Sequence, residues 1–150
     1  MSEAIRGNID VDIDHAWYGC LFFTSDRLIV ARTEYKRYYR SVGDTDLLMD
    51  FNARRRELEL REEGEERERM YMTTRPDDIL AADKRNFAMP YSDIVKVEMK
   101  KPGRVWAGKI TITTTTREKP YKYPLREGKK MFDQHVNLVR SLLPNRLSIS

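Results

Sequence analysis

Residues 44–71, DTDLLMDFNARRRELELREEGEERERMY, contain a single β-branched residue, Thr45, and are dominated by Glu, Arg and Leu. These side chains lose little rotamer freedom in a helix, whereas the segments on either side are rich in Ile, Val, Thr and aromatics. A β-type chain therefore has to carry a long helical insertion. Leu47, Leu48, Phe51, Arg55 and Leu58 mark one face of it. Asp44 is placed to cap its start, with Asp46 and Asp50 near the positive end of the helix dipole. Past Leu60 the apolar stripe thins, and pairs at i,i+4 (Glu57–Arg61, Glu63–Arg67, Glu65–Arg69) are expected to support it. Gly64 interrupts the run at a cost of about 1 kcal/mol relative to alanine. A continuous helix of this length spans about 42 Å at 1.5 Å per residue. Its far end therefore projects, breaks at Gly64 or packs against another subunit.

Strand signals precede and follow the insertion. Residues 4–12 alternate around Ile9 and Val11, and residues 17–24 carry Trp17, Tyr18, Phe22 and Phe23. Thr24-Ser25-Asp26-Arg27 has the short polar side chains of a tight turn, after which Leu28–Ala31 begins the next strand. Beyond the insertion, Ile79–Ala82 fits a short helical turn or strand, and Asp83–Asn86 a polar turn. FAMP leads into Asp93–Met99, which is strand-like without being cleanly two-faced. Lys100–Arg104 is a turn punctuated by Pro102 and Gly103. Val105–Thr116 reads as one long strand, with Trp106 expected in the core. Tyr121–Leu125 alternates. Met131, Phe132, Val136, Val139, Leu142 and Leu143 are spaced as an amphipathic helix over residues 128–143 that stops at Pro144, leaving a loose tail, NRLSIS.

This order predicts an α+β fold. A curved antiparallel sheet or partly open barrel is covered at its apolar opening by the C-terminal helix. At 150 residues the chain fits a single domain, 1–150, with residues 41–80 as a helical insertion after the third strand.

Two stretches carry a family resemblance. GCLFFTSDRLIVAR (residues 19–32) resembles the second hairpin of the pleckstrin-homology-like (PH-like) superfamily, especially its GRAM and bacterial PH branches. FAMPYSDIVKVEMKK (residues 87–101) resembles the signature that follows it. WAGKITITTTTREKPYKYPL then looks like the family's last hairpin, and residues 128–143 like its capping helix. The resemblance covers about two-thirds of the chain, excludes the insertion, and implies a non-catalytic binding fold. Phosphoinositide-binding members place basic residues around the first hairpin loop. Here Asp10, Asp12 and Asp14 occupy the matching region, where carboxylates repel a polyphosphate headgroup.

The formal net charge of +4 is unevenly spread. Residues 1–95 hold 15 Lys/Arg against 20 Asp/Glu, and residues 96–150 hold 13 against 4. An anionic surface, or the acidic half of this chain or of another copy, suits the positive part. Candidate anion-binding residues are Lys36, Arg37 and Arg40, within the tyrosine-interleaved stretch YKRYYR at residues 35–40, and Lys100, Lys101 and Arg104, with Trp106 close by.

Catalytic signatures are thin. There are two histidines, His15 and His135, and one cysteine, Cys20. In a continuous strand His15 and Cys20 are separated by roughly 17 Å, far from the contact a nucleophile and its base require. The Asp46/Asp50 pair has the spacing for a divalent ion, but helix capping explains it more cheaply. No phosphate-cradling glycine loop, HExxH or CxxC occurs. No catalytic residue, metal or cofactor is assigned.

The expected function is a non-catalytic binding or scaffold module acting through protein contacts or self-association, with Leu47, Phe51 and Leu58 as the interaction helix. Peripheral binding to an anionic membrane, and nucleic-acid binding through the basic-aromatic surface, are the alternatives. No transmembrane segment is expected. A lone cysteine leaves the redox compartment open and the polar, acidic N-terminus does not read as a secretory signal, so the simplest expectation is a reducing cytoplasm, free or at a membrane surface.

Overall fold

The apolar runs Cys20–Phe23 and Leu28–Ala31 do not alternate with polar residues, as a sheet with one wet face requires. Such runs need cover on both sides. The computed structural model, which describes residues 3–36 and 47–150 (47–54 and 57 by backbone alone), shows how the cover is supplied. Strands β1 (Gly7–Asp12), β2 (Trp17–Phe23), β3 (Arg27–Tyr35) and β4 (Phe87–Pro90) form one antiparallel sheet in that order. Ile9, Val11, Leu21, Phe23, Leu28 and Val30 point into the main core. Cys20, Phe22, Ile29 and Ala31 point the other way, into a second apolar layer closed by Tyr71 and Ile79.

Those last two residues belong to the insertion. Helix α1 runs unbroken from Leu47 to Met72, through Gly64, and helix α2 from Pro76 to Ala82. Together they stand between β3 and β4, two strands that pair directly with each other. The insertion is thus the outer cover of the first sheet. The Tyr71 ring meets Phe22 edge-on at 5.9 Å between centroids, and Ile79 is fully buried. The Arg67 guanidinium donates to the Thr33 carbonyl at 2.6 Å, so it is held by β3. The ion pairs described on α1 are Arg55–Glu59 and Arg61–Glu65, offset from the expected register because the helix packs on the sheet along the face that carries Gly64, Arg67 and Glu68.

A 3-10 turn at Tyr91–Asp93 leads from β4 into the second sheet, ordered β7-β6-β5-β8: β5 (Ile94–Lys100), β6 (Lys109–Thr114), β7 (Tyr121–Pro124) and β8 (Leu147–Ile149). A single bridge, Val11 to Leu125, joins the far edges of the two sheets. Helix α3 (Lys129–Leu142) packs Phe132, Val136 and Val139 into the main core, as its spacing predicts. The architecture is α+β: two four-stranded sheets and three α-helices among the described residues, with the main core between the sheets and α3.

Several local expectations change. The imperfect alternation of β5 has a cause: the pairing steps from Ile94–Thr114 to Lys96–Thr113, leaving Val95 as an extra, exposed residue. Such a bulge turns the following side chains back into phase. The long strand expected over 105–116 begins only at Lys109, and Val105 and Trp106 lie in the loop before it, exposed. Trp106 is therefore not a core residue. The tail is not loose either: β8 adds to β5 in parallel, pairing Val97 with Leu147 and Met99 with Ile149. The tail is short, so its strand character is set by the open edge of β5 and not by its own sequence.

The opening hairpin turn is built as its residues suggest. The Thr24 hydroxyl accepts from the Arg27 and Asp26 amides at 3.0 and 3.3 Å. Tyr91 locks the turn from outside, its hydroxyl donating to the Thr24 carbonyl at 2.5 Å. Arg27 pairs with Glu3 at 2.9 Å and with Asp77 of α2 at 2.8 Å, which ties the insertion to the hairpin.

Candidate functional site

The loop between β5 and β6 presents an arrangement that burial alone does not explain. Val105 is 85% exposed and Trp106 is 71% exposed. Lys100, Lys101 and Arg104 precede them and Lys109 follows, all exposed. The Gly103 amide donates to the Trp106 carbonyl at 3.1 Å, closing a tight turn. A β carbon on Gly103 would stand 2.6 Å from the Trp106 ring, so the glycine lets the indole lie against the turn backbone. The result is an exposed apolar tip held on a short turn, in a loop whose neighbouring residues include four exposed cations. None of Lys100, Lys101 and Arg104 is in an ion pair with a carboxylate among the described residues, whereas nearby Lys96 is neutralised by Glu98 at 2.9 Å.

A cleft of about 730 Å³ lies beside this loop, bounded by Leu60 and Arg61 of α1 on one side and by Ala107 and Leu125 on the other. Tyr18 also lines it. Lys36 lies 4.5 Å and Arg126 lies 3.7 Å from the centre of the Tyr18 ring, close enough for cation–π attraction. Each cation of the cleft is also matched by an acid: Lys36 by Asp12, Arg61 by Glu65 at 3.5 Å, and Arg126 by Glu34 at 3.3 Å. The cleft is charge-balanced, and an anion entering it has to displace a carboxylate.

The sequence-predicted residues are therefore spread over different surfaces. Lys100, Lys101 and Arg104 share the exposed loop. Lys36 sits apart from them, engaged by Asp12 and by the Asp14 carbonyl at 2.7 Å, while Arg37 and Arg40 lie outside the described residues. Leu58 is 59% exposed on α1. Leu47 and Phe51 lie on the same helix by backbone, and their side chains are outside the described residues.

Cys20 and His135, weighed as catalysts, are both buried, and His15 is exposed. Burial pushes the Cys20 thiol well above its usual range, with the charges of Glu68 and Asp10 adding to the effect, so it is held as a thiol. Burial lowers the His135 pKa and keeps its imidazole neutral, partly opposed by the charge of Asp10.

Sequence reading missed the polar layer beneath α1. Asp10 of β1, Glu68 of α1 and Glu127, just before α3, converge there from distant parts of the chain. Desolvation raises Glu68 to about 8, with Asp10 and Glu127 adding to the shift and Arg126 opposing it. Glu127 is raised by burial first and then by Asp10, with Arg126 opposing. The alternation of Asp10 with Ile9 and Val11 does place its carboxylate on the outer face of β1. No sequence pattern signals that a helix lands there.

The chain matches no family model and no curated protein.

Proposed function

We propose that this chain is a non-catalytic PH-like binding module that docks reversibly on anionic lipid surfaces through its 100–109 loop. The observation that carries this reading is the adjacent exposure of Val105 and Trp106 in a loop that also exposes Lys100, Lys101, Arg104 and Lys109. An indole held in water has little reason to be there, whereas at a headgroup boundary its apolar body and polar N–H are both satisfied. Each Lys or Arg brought close to an anionic membrane contributes about 1 kcal/mol, so three give weak, salt-sensitive attachment, with the Val105–Trp106 tip as an apolar anchor. No described helix is long and apolar enough to cross a membrane. The PH-like assignment draws support from the two-sheet arrangement with its C-terminal helix, which is what the resemblance of residues 19–32 and 87–101 implies.

The test is co-sedimentation with vesicles of phosphatidylcholine alone or with added phosphatidylserine, at low and high salt. Binding to the anionic vesicles is expected to weaken with salt. It should also fall in Trp106→Ala and be abolished when Lys100, Lys101 and Arg104 are all changed to Glu. Equal binding by wild type and these variants, or no binding at low salt, overturns the reading.

A second reading, self-association through α1, is favoured by the exposure of Leu58 together with the charge order of the helix. Residues 54–56 are three arginines, and residues 62–66 include four glutamates. Antiparallel pairing of two copies centred near Leu58 and Leu60 sets the basic block of each against the acidic block of the other. Light scattering across micromolar concentrations tests it: a dimer dispersed by Leu58→Asp is expected, and a monomer throughout rejects it.

A further inference from the structure

The polar layer beneath α1 gathers acid and thiol groups, and two polar atoms in it have no hydrogen-bond partner among the described residues. Asp10 and Cys20 are register partners on β1 and β2, and Glu68 of α1 comes down over them. One carboxylate oxygen of Asp10, the Cys20 sulfur and one carboxylate oxygen of Glu68 all lie within 4.8 Å of one another. Asn8 is the shared donor, giving its amide to Glu68 at 2.9 Å and to the Cys20 sulfur at 3.4 Å. Asp10 Oδ1 is sealed from solvent and accepts no hydrogen bond among the described residues. The two guanidiniums that line the same cavity are engaged elsewhere, Arg126 by Glu34 and the Tyr18 ring and Arg61 by Glu65.

An independent observation comes from the other side of the layer. The His135 side chain is 4% exposed, and its Nε2 faces Glu127 Oε1 at 3.8 Å. That nitrogen also lacks a hydrogen-bond partner among the described residues. Asp10, Glu68 and Glu127 line a shared cavity of about 190 Å³. A sealed carboxylate oxygen and a sealed imidazole nitrogen, both unpartnered, leave a cost of roughly 1–3 kcal/mol per group unless something fills the space. Carboxyl groups and a thiol that can each give up a proton are donor groups for a cation.

We propose that Asp10, Cys20 and Glu68 bind a divalent transition-metal ion of the zinc class, with Glu127 completing the set and His135 positioning Glu127 from behind. Sulfur among the donors selects zinc, cobalt or cadmium over magnesium and calcium. Ligand atoms about 2.0–2.3 Å from a tetrahedral metal stand roughly 3.3–3.8 Å apart, a contraction that side-chain rotation supplies. Binding displaces the thiol proton and any carboxyl proton to solvent, so the ion enters with no redox change. His135 acts through Glu127, as an outer-shell donor fixes the orientation of a ligating carboxylate. The ion would clamp α1 onto β1 and β2, making it a structural site.

The test uses the untagged full chain, stripped of metal and titrated with Co²⁺. One equivalent is expected to produce visible ligand-field absorption and a near-ultraviolet thiolate-to-cobalt band, both erased by Zn²⁺ and unaffected by excess Mg²⁺. Cys20→Ser should lose the thiolate band, and Glu68→Gln should weaken binding at least tenfold. His135→Asn should weaken it about 10–100-fold while the thiolate band remains. Circular dichroism of each variant identifies any that fails to fold, and the wild-type titration stands without them. No stoichiometric cobalt spectrum, a thiolate band that survives in Cys20→Ser, or displacement by Mg²⁺ overturns the site.

Discussion

Gly64 of α1 lies directly against Glu34 of β3: a β carbon at Gly64 would stand 2.6 Å from the Glu34 Cβ and 3.2 Å from its Cα. A glycine that costs helix propensity is therefore a point of close approach between the insertion and the sheet. At an open helical position, Gly→Ala gains about 1 kcal/mol. Here the added methyl meets atoms fixed to the β3 backbone, and forced overpacking costs about 1–3 kcal/mol. Gly64→Ala is expected to destabilise the protein by about 1 kcal/mol, with the opposite sign to the propensity effect. Urea denaturation gives the sign directly.

The outer layer of the first sheet depends on α2 through Ile79, which is fully buried against the Cys20, Phe22, Ile29 and Ala31 face. If the insertion is a structural cover, truncating Ile79 opens a cavity in a core. Ile79→Ala is expected to cost about 2–5 kcal/mol. The urea midpoint should fall with the slope m unchanged, because the helices and the sheet unfold as one unit. A separate early transition would make the insertion an independently unfolding element.

Much of this was legible in the residues, and the reasons for the misses are physical. Unbroken apolar runs at 20–23 and 28–31 are unusual for an antiparallel sheet in water. The charged, β-poor insertion is what covers their second face. What could not be read was where the helix lands. The landing is set by Gly64, Arg67, Glu68 and Tyr71, none of which forms an apolar stripe by itself. Trp106 reads as inward-facing in the sequence because Val and Trp beside a Thr-Ile strand look like its continuation. Only the turn closed by Gly103 shows that the strand has not yet begun. The Asp10, Glu68 and Glu127 layer is assembled by tertiary packing across more than one hundred residues, beyond the reach of any local spacing.

Asn86 shows how one side chain can fasten the return from the insertion. Its amide donates to the Ile79 carbonyl at 2.9 Å, and its oxygen accepts from the Arg32 amide at 2.9 Å, joining α2 to β3 just before β4 begins. Asn86→Ala leaves a buried carbonyl and a part-buried amide unpaired, each worth about 1–3 kcal/mol when water cannot replace the partner. A loss of about 2–4 kcal/mol is expected. Asn86→Asp keeps the acceptor but loses the donor, and should fall between Asn86→Ala and wild type near neutral pH. Thermal unfolding of the three proteins side by side checks the order.

Glu68 makes stability fall as pH rises in the metal-free protein. Its folded-state pKa is raised from 4.5 to about 8, first by burial and then by Asp10 and Glu127, with Arg126 opposing. A group that binds its proton more tightly when folded contributes stability below the unfolded value, and that contribution is lost as pH climbs through the folded value. The window is therefore about pH 4.5 to 8. Glu127 and Glu34 shift in the same direction, both chiefly by burial. His135 is lowered by burial, so it works the other way: the folded state is penalised as pH falls below 6.5. Cys20 stays a thiol throughout this range. The net decline should accordingly be steepest between pH 6.5 and 8, where the carboxyl effect is unopposed by the histidine. Even one pKa unit of linkage is about 1.4 kcal/mol, or about 3 °C of Tm for a chain of this size. Thermal unfolding in EDTA should therefore show Tm dropping by at least about 3 °C across the window. Glu68→Gln, which cannot lose a proton, should flatten the decline, and an equally steep decline in that variant would show that Glu68 is not its source.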